Sequence, residues 1–141
     1  MILDTTFLID IIRGKDEKVK QKCIYLDNKF ITKSISTITL MELWRGAEMN
    51  LNSKKEKKKV IELIESLLIH PFNVKEAKKA AEIESFLIKK GQMIDLEDIM
   101  IAATAITRNE SVLTRNVEHF NRIPNLKVDS YWQIFYRVNL V

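Results

Sequence analysis

A three-layer α/β domain, with a central and mostly parallel sheet flanked by helices, is the fold class that the sequence predicts. Short apolar or β-branched runs recur at residues 1–3, 30–35, 111–114 and 126–131, and they lack the in-out alternation of a half-solvated sheet. Between them lie segments whose apolar residues repeat at helical spacing. Strands apolar on both faces and separated by helices belong to parallel sheets, because each crossover lays a helix on a face.

Taken in order, residues 1–3 form the first strand, and Asp4 precedes the helical "TTFLIDII", which it is placed to cap. Residues 30–35 form the second strand and lead into the helical "TITLMELWRGAE". In "SKKEKKKVIELIESLLI" one stripe is marked by Val60, Ile61, Ile64, Leu67 and Leu68, and Ser53 with Glu56 matches a capping box at its start. Residues 74–90 form a further helix with Ala77, Ala80, Ala81, Leu87 and Ile88 as inward positions, stopped by Gly91. "IDLEDIMIAATA" opens another helix, and residues 111–114 and 126–131 supply the remaining strands.

With 141 residues, 46% hydrophobic and 30% charged, the chain is expected to form one domain over residues 1–141. No apolar run approaches the ~20 residues that cross a bilayer. No basic leader precedes the first apolar residues, so a signal peptide and a membrane partner are not expected, and a cytoplasmic location is. The lone Cys23 excludes an internal disulfide and a cysteine-based zinc cage. A net charge of +4 and a pI near 9.1 permit a nucleic-acid partner without demanding one.

The chemistry-bearing residues are acids near element ends. In "IDLEDIMIAATA", Asp95 suits an N-cap. Glu97 falls on a polar face with Thr104, Thr107 and Arg108. Asp98 projects with Ala102 and Ala105 toward the apolar half, either bonding back toward the cap or serving a site. A carboxylate aimed at a core needs a partner, since an unpaired buried charge is very costly. Glu42 has the same two readings. Thr39 and Glu42 match a capping box, yet Glu42 also shares a face with Gly46 and Met49, where the glycine leaves space one turn away. Asp4 and the "TRN" at 114–116 follow strands, and open parallel sheets bind ligands beyond the carboxyl ends of their strands. Asp10 has no such placement and is not included. Carboxylates converging at about 4 Å repel by roughly 4 kcal/mol per pair at an effective dielectric of 20. Such a cluster takes up protons or a cation, and oxygen-only ligands select Mg²⁺ or Mn²⁺ over zinc.

With Asp4, Glu42, Asp98 and Asn116 assembled, the chain resembles the PIN-domain ribonucleases, and among them the VapC toxins of toxin–antitoxin pairs. The resemblance spans nearly the whole chain and rests on "MILDTTFLIDIIRG", "STITLMELWRGAE", "IDLEDIMIAATA" and "LTRNVEHFNRIPNLKV" in the family's order. It implies a PIN-like fold, Mg²⁺- or Mn²⁺-dependent cleavage of RNA, a VapB-type antitoxin and a homodimer. By position, Asp4, Glu42 and Asp98 match the family's three metal-site acids. Asn116 stands where many PIN nucleases have a fourth acid, so it offers an amide oxygen without charge. Thr6 matches the small polar position that orients the first Asp from behind, and Arg115 is a candidate phosphate contact. The implied reaction is metal-assisted phosphodiester hydrolysis.

Other features invite plainer readings. The lysines of residues 54–59 oppose the positive end of their helix dipole; they form a solvated face or an RNA-backbone contact. Met41, Trp44 and Met49 are expected to be core, with a groove for an antitoxin as the alternative, and "YWQIFY" is expected to pack. His70 and His119 match no ligand spacing and are read as structural. Four rival functions stand beside this one. An aspartyl-phosphate phosphatase wants an acid where Thr6 stands, and a receiver domain wants adjacent acids after the first strand. A non-catalytic PIN-like RNA- or protein-binding module would not need converging acids, and a housekeeping RNA-processing PIN nuclease would have no antitoxin.

Overall fold

The computed structural model describes residues 1–131. Its elements are β1 (Ile2–Leu3), α1 (Thr5–Arg13), α2 (Glu17–Asn28), β2 (Ser34–Ser36), α3 (Thr37–Glu48), α4 (Ser53–Ile64), β3 (Leu68–His70), α5 (Val74–Lys90), α6 (Leu96–Thr107), β4 (Val112–Leu113), α7 (Val117–Asn121) and β5 (Val128–Asp129). The strands form one five-stranded sheet in the order β3-β2-β1-β4-β5, and every pairing is parallel. The three-layer α/β expectation holds.

Period-2 alternation divides the core. Ile2 and Val112 face one side with Leu87, Ile99, Ile101 and Phe120; Leu3 and Leu113 face the other with Phe7, Leu8, Leu26 and Ile35. Both faces of β1 and β4 are fully buried, as uniformly apolar central strands require. The chain steps from β1 outward to β2 and β3, then returns to lay β4 on the other side of β1. That reversal creates a crevice beyond the carboxyl ends of β1 and β4, the place where open parallel sheets collect ligands.

Several local expectations are corrected. The second strand begins at Ser34, not at residue 30. Phe30 instead takes a left-handed φ of 54° and is 94% exposed. It turns the chain out of α2, while the Ile31 N–H closes back on the Leu26 carbonyl at 3.0 Å. The stripe expected to run on through Leu67 and Leu68 stops with α4 at Ile64, and Leu68 starts the edge strand β3. Edge placement explains why Leu68 is 52% exposed. The Ser53–Glu56 capping box does not form: Asn52 is the N-cap, and Glu56 accepts from Lys59 at 2.9 Å. The buried face of α5 is Glu76, Ala80, Ile83 and Leu87, so Ala77, Ala81 and Ile88 turn outward, while Gly91 ends the helix in the left-handed conformation.

His70 is structural, with Nε2 2.6 Å from the Glu110 carboxylate, which also accepts the Ser34 hydroxyl at 2.6 Å. His119 is exposed on α7. Tyr131 is buried edge-on to Phe7, with ring centroids 4.9 Å apart; the rest of "YWQIFY" lies outside the described residues. Among the described residues no helix is long and apolar enough to cross a membrane.

Candidate active site

The site is built from the ends of β1 and β4 and the N-terminal halves of the helices beside them. Asp4 leaves β1 and caps α1, its Oδ1 accepting the Thr5 N–H at 2.8 Å. Its Oδ2 accepts the Thr6 hydroxyl at 2.9 Å and the Thr114 hydroxyl at 2.7 Å. Asp4 as a whole is 1% exposed. Burial raises its pKa above the ordinary carboxylate value, and the bonds from Thr114, Thr6 and Thr5 oppose that rise. Capping and site placement are thus compatible in one side chain.

Glu42 is not part of a capping box. Ser36 caps α3, accepting the Ile38 N–H at 3.2 Å, and Thr39 is buried with a hydroxyl that finds no hydrogen-bond partner among the described residues. Freed from capping, Glu42 accepts the Thr5 hydroxyl at 2.7 Å. Thr5 therefore joins two acids, donating its N–H to Asp4 and its hydroxyl to Glu42. Burial again raises the Glu42 pKa. The Thr5 bond and Arg45 pull it down, and Asp4 and Glu97 push it up.

Asp98 stands at the third position of α6, after Asp95 as N-cap by backbone geometry. It does not bond back toward the cap; among the described residues Asp98 accepts no hydrogen bond. Its pKa is pushed up to about 7, by burial first and then by the charges of Asp4, Glu42, Asp95 and Glu97. The three acids nominated from sequence are near enough to feel one another, and the least satisfied of them carries the largest shift. Glu97 is half-buried and faces Arg45 across 3.7 Å. Its expected neighbour Thr104 is buried instead, with its hydroxyl on the Met100 carbonyl at 3.0 Å and beside Ser36 at 3.3 Å. A hydroxyl that bonds back one turn can enter a core that would reject a charged side chain.

Asn116 is half-buried at the N-cap of α7, where its backbone N–H donates to Thr114 Oγ1 at 2.9 Å. The loop is pinned from its other side. Arg115 Nη2 contacts both carboxylate oxygens of Asp10 at 2.7 Å, and the Tyr131 hydroxyl donates to Asp10 at 3.3 Å. Sequence reasoning missed Thr5, placed Thr114 at a strand end without giving it a role, and set Asp10 aside. The "TT" after Asp4 and the "LT" ahead of Arg115 were the available signals, since both place hydroxyls at strand ends.

A groove of about 260 Å³ opens beside Glu42, lined by Ile9 and Ile12 of α1, Leu43 and Gly46 of α3, and Val60 of α4. Nothing lies within 4 Å of where a Cβ on Gly46 would project, so the glycine does leave open space. Met41, Trp44 and Met49, expected in the core, are exposed, because α3 buries Thr39, Leu43 and Ala47 instead. In the lysine run, Lys57 pairs with Glu48 at 2.5 Å and lies over the Trp44 ring, while Lys59 pairs with Glu56.

The donor set is entirely oxygen, and burial together with the surrounding negative charge raises the Asp98 pKa to about 7. That chemistry fits a hard divalent cation. Among the described residues, no three acidic, histidine or cysteine side chains are already closed into a ligand shell. Ligation therefore calls for side-chain adjustment, most readily by Asp98, which gives up no hydrogen bond on moving.

Comparison with known proteins agrees with this geometry, for the PIN domain family matches residues 1–126. The chain belongs to the PIN-domain family. This PIN domain is similar to ribonuclease VapC1 of Rickettsia felis, with 39% identity over 131 residues, or 91% of this chain and 93% of that protein. It is 31% identical over 130 residues to the tRNA(fMet)-specific endonuclease VapC of Salmonella typhimurium, covering 92% of this chain and 96% of the relative. Among solved structures it resembles the crystal structure of VapBC2 from Rickettsia felis bound to a promoter DNA fragment. The TM-score is 0.85 at 29% identity, over 92% of this chain and 96% of that one.

Proposed function

We propose that this PIN domain is a metal-dependent endoribonuclease of the VapC toxin type, which hydrolyses RNA phosphodiester bonds and is inhibited by a VapB-type antitoxin. The observation that carries the chemistry is Asp98, a half-buried carboxyl that has no donor among the described residues, lifted to about 7 beside Asp4 and Glu42 at the switch point of the sheet. The antitoxin reading is supported by similarity to chains solved in VapBC complexes. A single PIN domain over residues 1–141, a homodimer and a cytoplasmic place of action belong to this reading as what the resemblance to VapC toxins implies.

Asp4, Glu42 and Asp98 would hold Mg²⁺ or Mn²⁺, with the Asn116 amide oxygen at the margin. When bound, such an ion polarises a phosphate and lowers the pKa of a water, both needed for hydrolysis at neutral pH. The protein's own contribution is positioning and proton handling. Thr5, Thr6 and Thr114 fix the Asp4 and Glu42 oxygens from behind, so that the carboxylates do not spend reaction time searching rotamers. Asp98 and Glu42 are the groups able to take the proton that a nucleophilic water releases.

The test is cleavage of structured RNAs by the purified chain, freed of any co-purifying partner, in Mg²⁺ or Mn²⁺ and in EDTA, beside Asp98→Asn. An initiator tRNA belongs in the panel, given the name of the Salmonella relative. Cleavage that needs the metal and disappears in the folded variant is the expected result. A folded wild type that binds RNA, ignores divalent ions and cuts nothing would leave the non-catalytic module in its place.

A further inference from the structure

We infer that Arg45, and not Arg115, is the arginine that meets the RNA phosphate at this site, and that Glu97 holds it there until RNA displaces the carboxylate. The inference rests on the nuclease reading above and extends it to a residue that positions substrate.

Arg13 lines the groove beside Glu42, while Arg45 and Arg115 stand next to the site residues in sequence, and the structure treats these two differently. Arg115 is committed. Its Nη2 makes two 2.7 Å contacts to Asp10, whose side chain is only 12% exposed and also accepts from Tyr131. Removing Arg115 from that partner would strand a largely buried carboxylate. Arg45 is loosely held, with a side chain 54% exposed and, among the described residues, an ion-pair contact of 3.7 Å to Glu97, itself 34% exposed. Exposed pairs at such a separation are weak and exchange readily.

Position adds a second argument. Arg45 follows Glu42 by three residues on α3, and Glu97 immediately precedes Asp98 on α6, so the pair spans the two helices that carry these acids. Arg45 is also the cation whose charge reaches Glu42, against the opposing charges of Asp4 and Glu97. Of the charges felt at Glu42, those of Asp4 and Glu97 repel an approaching RNA phosphate and that of Arg45 attracts it. A guanidinium presents a planar fork of donors that suits two phosphate oxygens, and it stays charged at any working pH.

The two halves of the ion pair give the test, because opposite signs are expected of them. Steady-state cleavage in Mg²⁺ would be measured for wild type, Arg45→Ala, Arg45→Lys, Glu97→Gln and the Arg45→Ala/Glu97→Gln double variant, with thermal melts to confirm folding. Arg45→Ala should raise KM by roughly tenfold, the loss expected for one charge-assisted hydrogen-bonding group, and should flatten the log–log salt dependence by about one unit. Arg45→Lys should recover part of the loss. Glu97→Gln should lower KM, and that gain should vanish in the Arg45→Ala background.

If both single variants move KM in the same direction, the pair is merely a brace between α3 and α6 and the inference falls. It also falls if Arg45→Ala leaves KM and the salt slope unchanged while wild type cleaves. If wild type binds RNA without cleaving it, the same signs are read on affinity; opposite signs keep the phosphate contact while the nuclease reading fails. A wild type that neither binds nor cleaves RNA overturns both.

Discussion

Arg115 and Asp10 lie 105 residues apart in sequence and meet through two contacts of 2.7 Å. The pair fastens the loop after β4, which carries Thr114 and Asn116, to the helix that begins at Asp4. Asp10→Ala should therefore destabilise the fold by about 2 kcal/mol, the scale of a charge-assisted hydrogen bond, since half-exposed Arg115 can be rehydrated. Urea midpoints would measure it. Arg115→Ala should cost more, because it leaves the largely buried Asp10 carboxylate without its partner, and the two losses should not add, because either change removes the same fastening.

Thr114→Val keeps the volume of the side chain and deletes the 2.7 Å donor to Asp4. A hydrogen bond to the ionised form holds a carboxyl pKa down, so its loss moves the already raised Asp4 pKa further up. The expected outcome is a cleavage profile whose acid limb shifts to higher pH. Thr6→Val should shift it in the same direction, and an unmoved limb in both variants would show that Asp4 does not control it.

Asp98 makes stability depend on pH in an unusual sense. Its folded value of about 7 lies above the ordinary 3.8, so through this interval the folded chain keeps a proton that the unfolded chain has released. Stability in EDTA should therefore fall as pH rises from about 4 to about 7, and burial of Asp4 and Glu42 acts in the same direction. Asp98→Asn should remove the Asp98 part of that fall. The variant should melt higher than wild type at pH 8 without metal and equally near pH 4, as read by thermal melts.

Mg²⁺ should reverse that order. A cation bound among these acids must displace the Asp98 proton, so its apparent affinity should rise with pH up to about 7 and then level off. Titration in a weakly buffered solution at pH 6 should release protons. At pH 8 the metal should raise the melting temperature of wild type and leave Asp98→Asn nearly unmoved. Metal binding without proton release would place the ion elsewhere.

Gly46 supplies a structural control. An added Cβ meets nothing within 4 Å, and the residue lies inside α3 with ordinary helical backbone. Gly46→Ala should stabilise the chain by roughly 0.5–1 kcal/mol through helix propensity alone, a change visible in the urea midpoint. Destabilisation would mean that the groove beside Glu42 closes over this position.

Much of this protein is local and so was legible in the residues themselves. Apolar runs such as 1–3 and 111–114 declare buried strands because their neighbours in sequence leave them no solvated face. Asp4, Glu42 and Asp98 stood out because a carboxylate at a strand end, or on the apolar side of a helix, conflicts with its surroundings. Helical spacing could not separate β3 from the end of α4, since Leu67 and Leu68 continue the stripe by coincidence and only pairing with β2 makes residues 68–70 a strand. Nor could it separate a capping Glu42 from one bonded to Thr5, a contact across 37 residues. The sequence alone determined the fold class and which acids are out of place, because periodicity and charge are properties of short segments. Only the tertiary structure decided that Thr114 serves Asp4, that Asp10 claims Arg115 and that Arg45 is left for another partner, because those choices depend on which surfaces packing brings within hydrogen-bond reach.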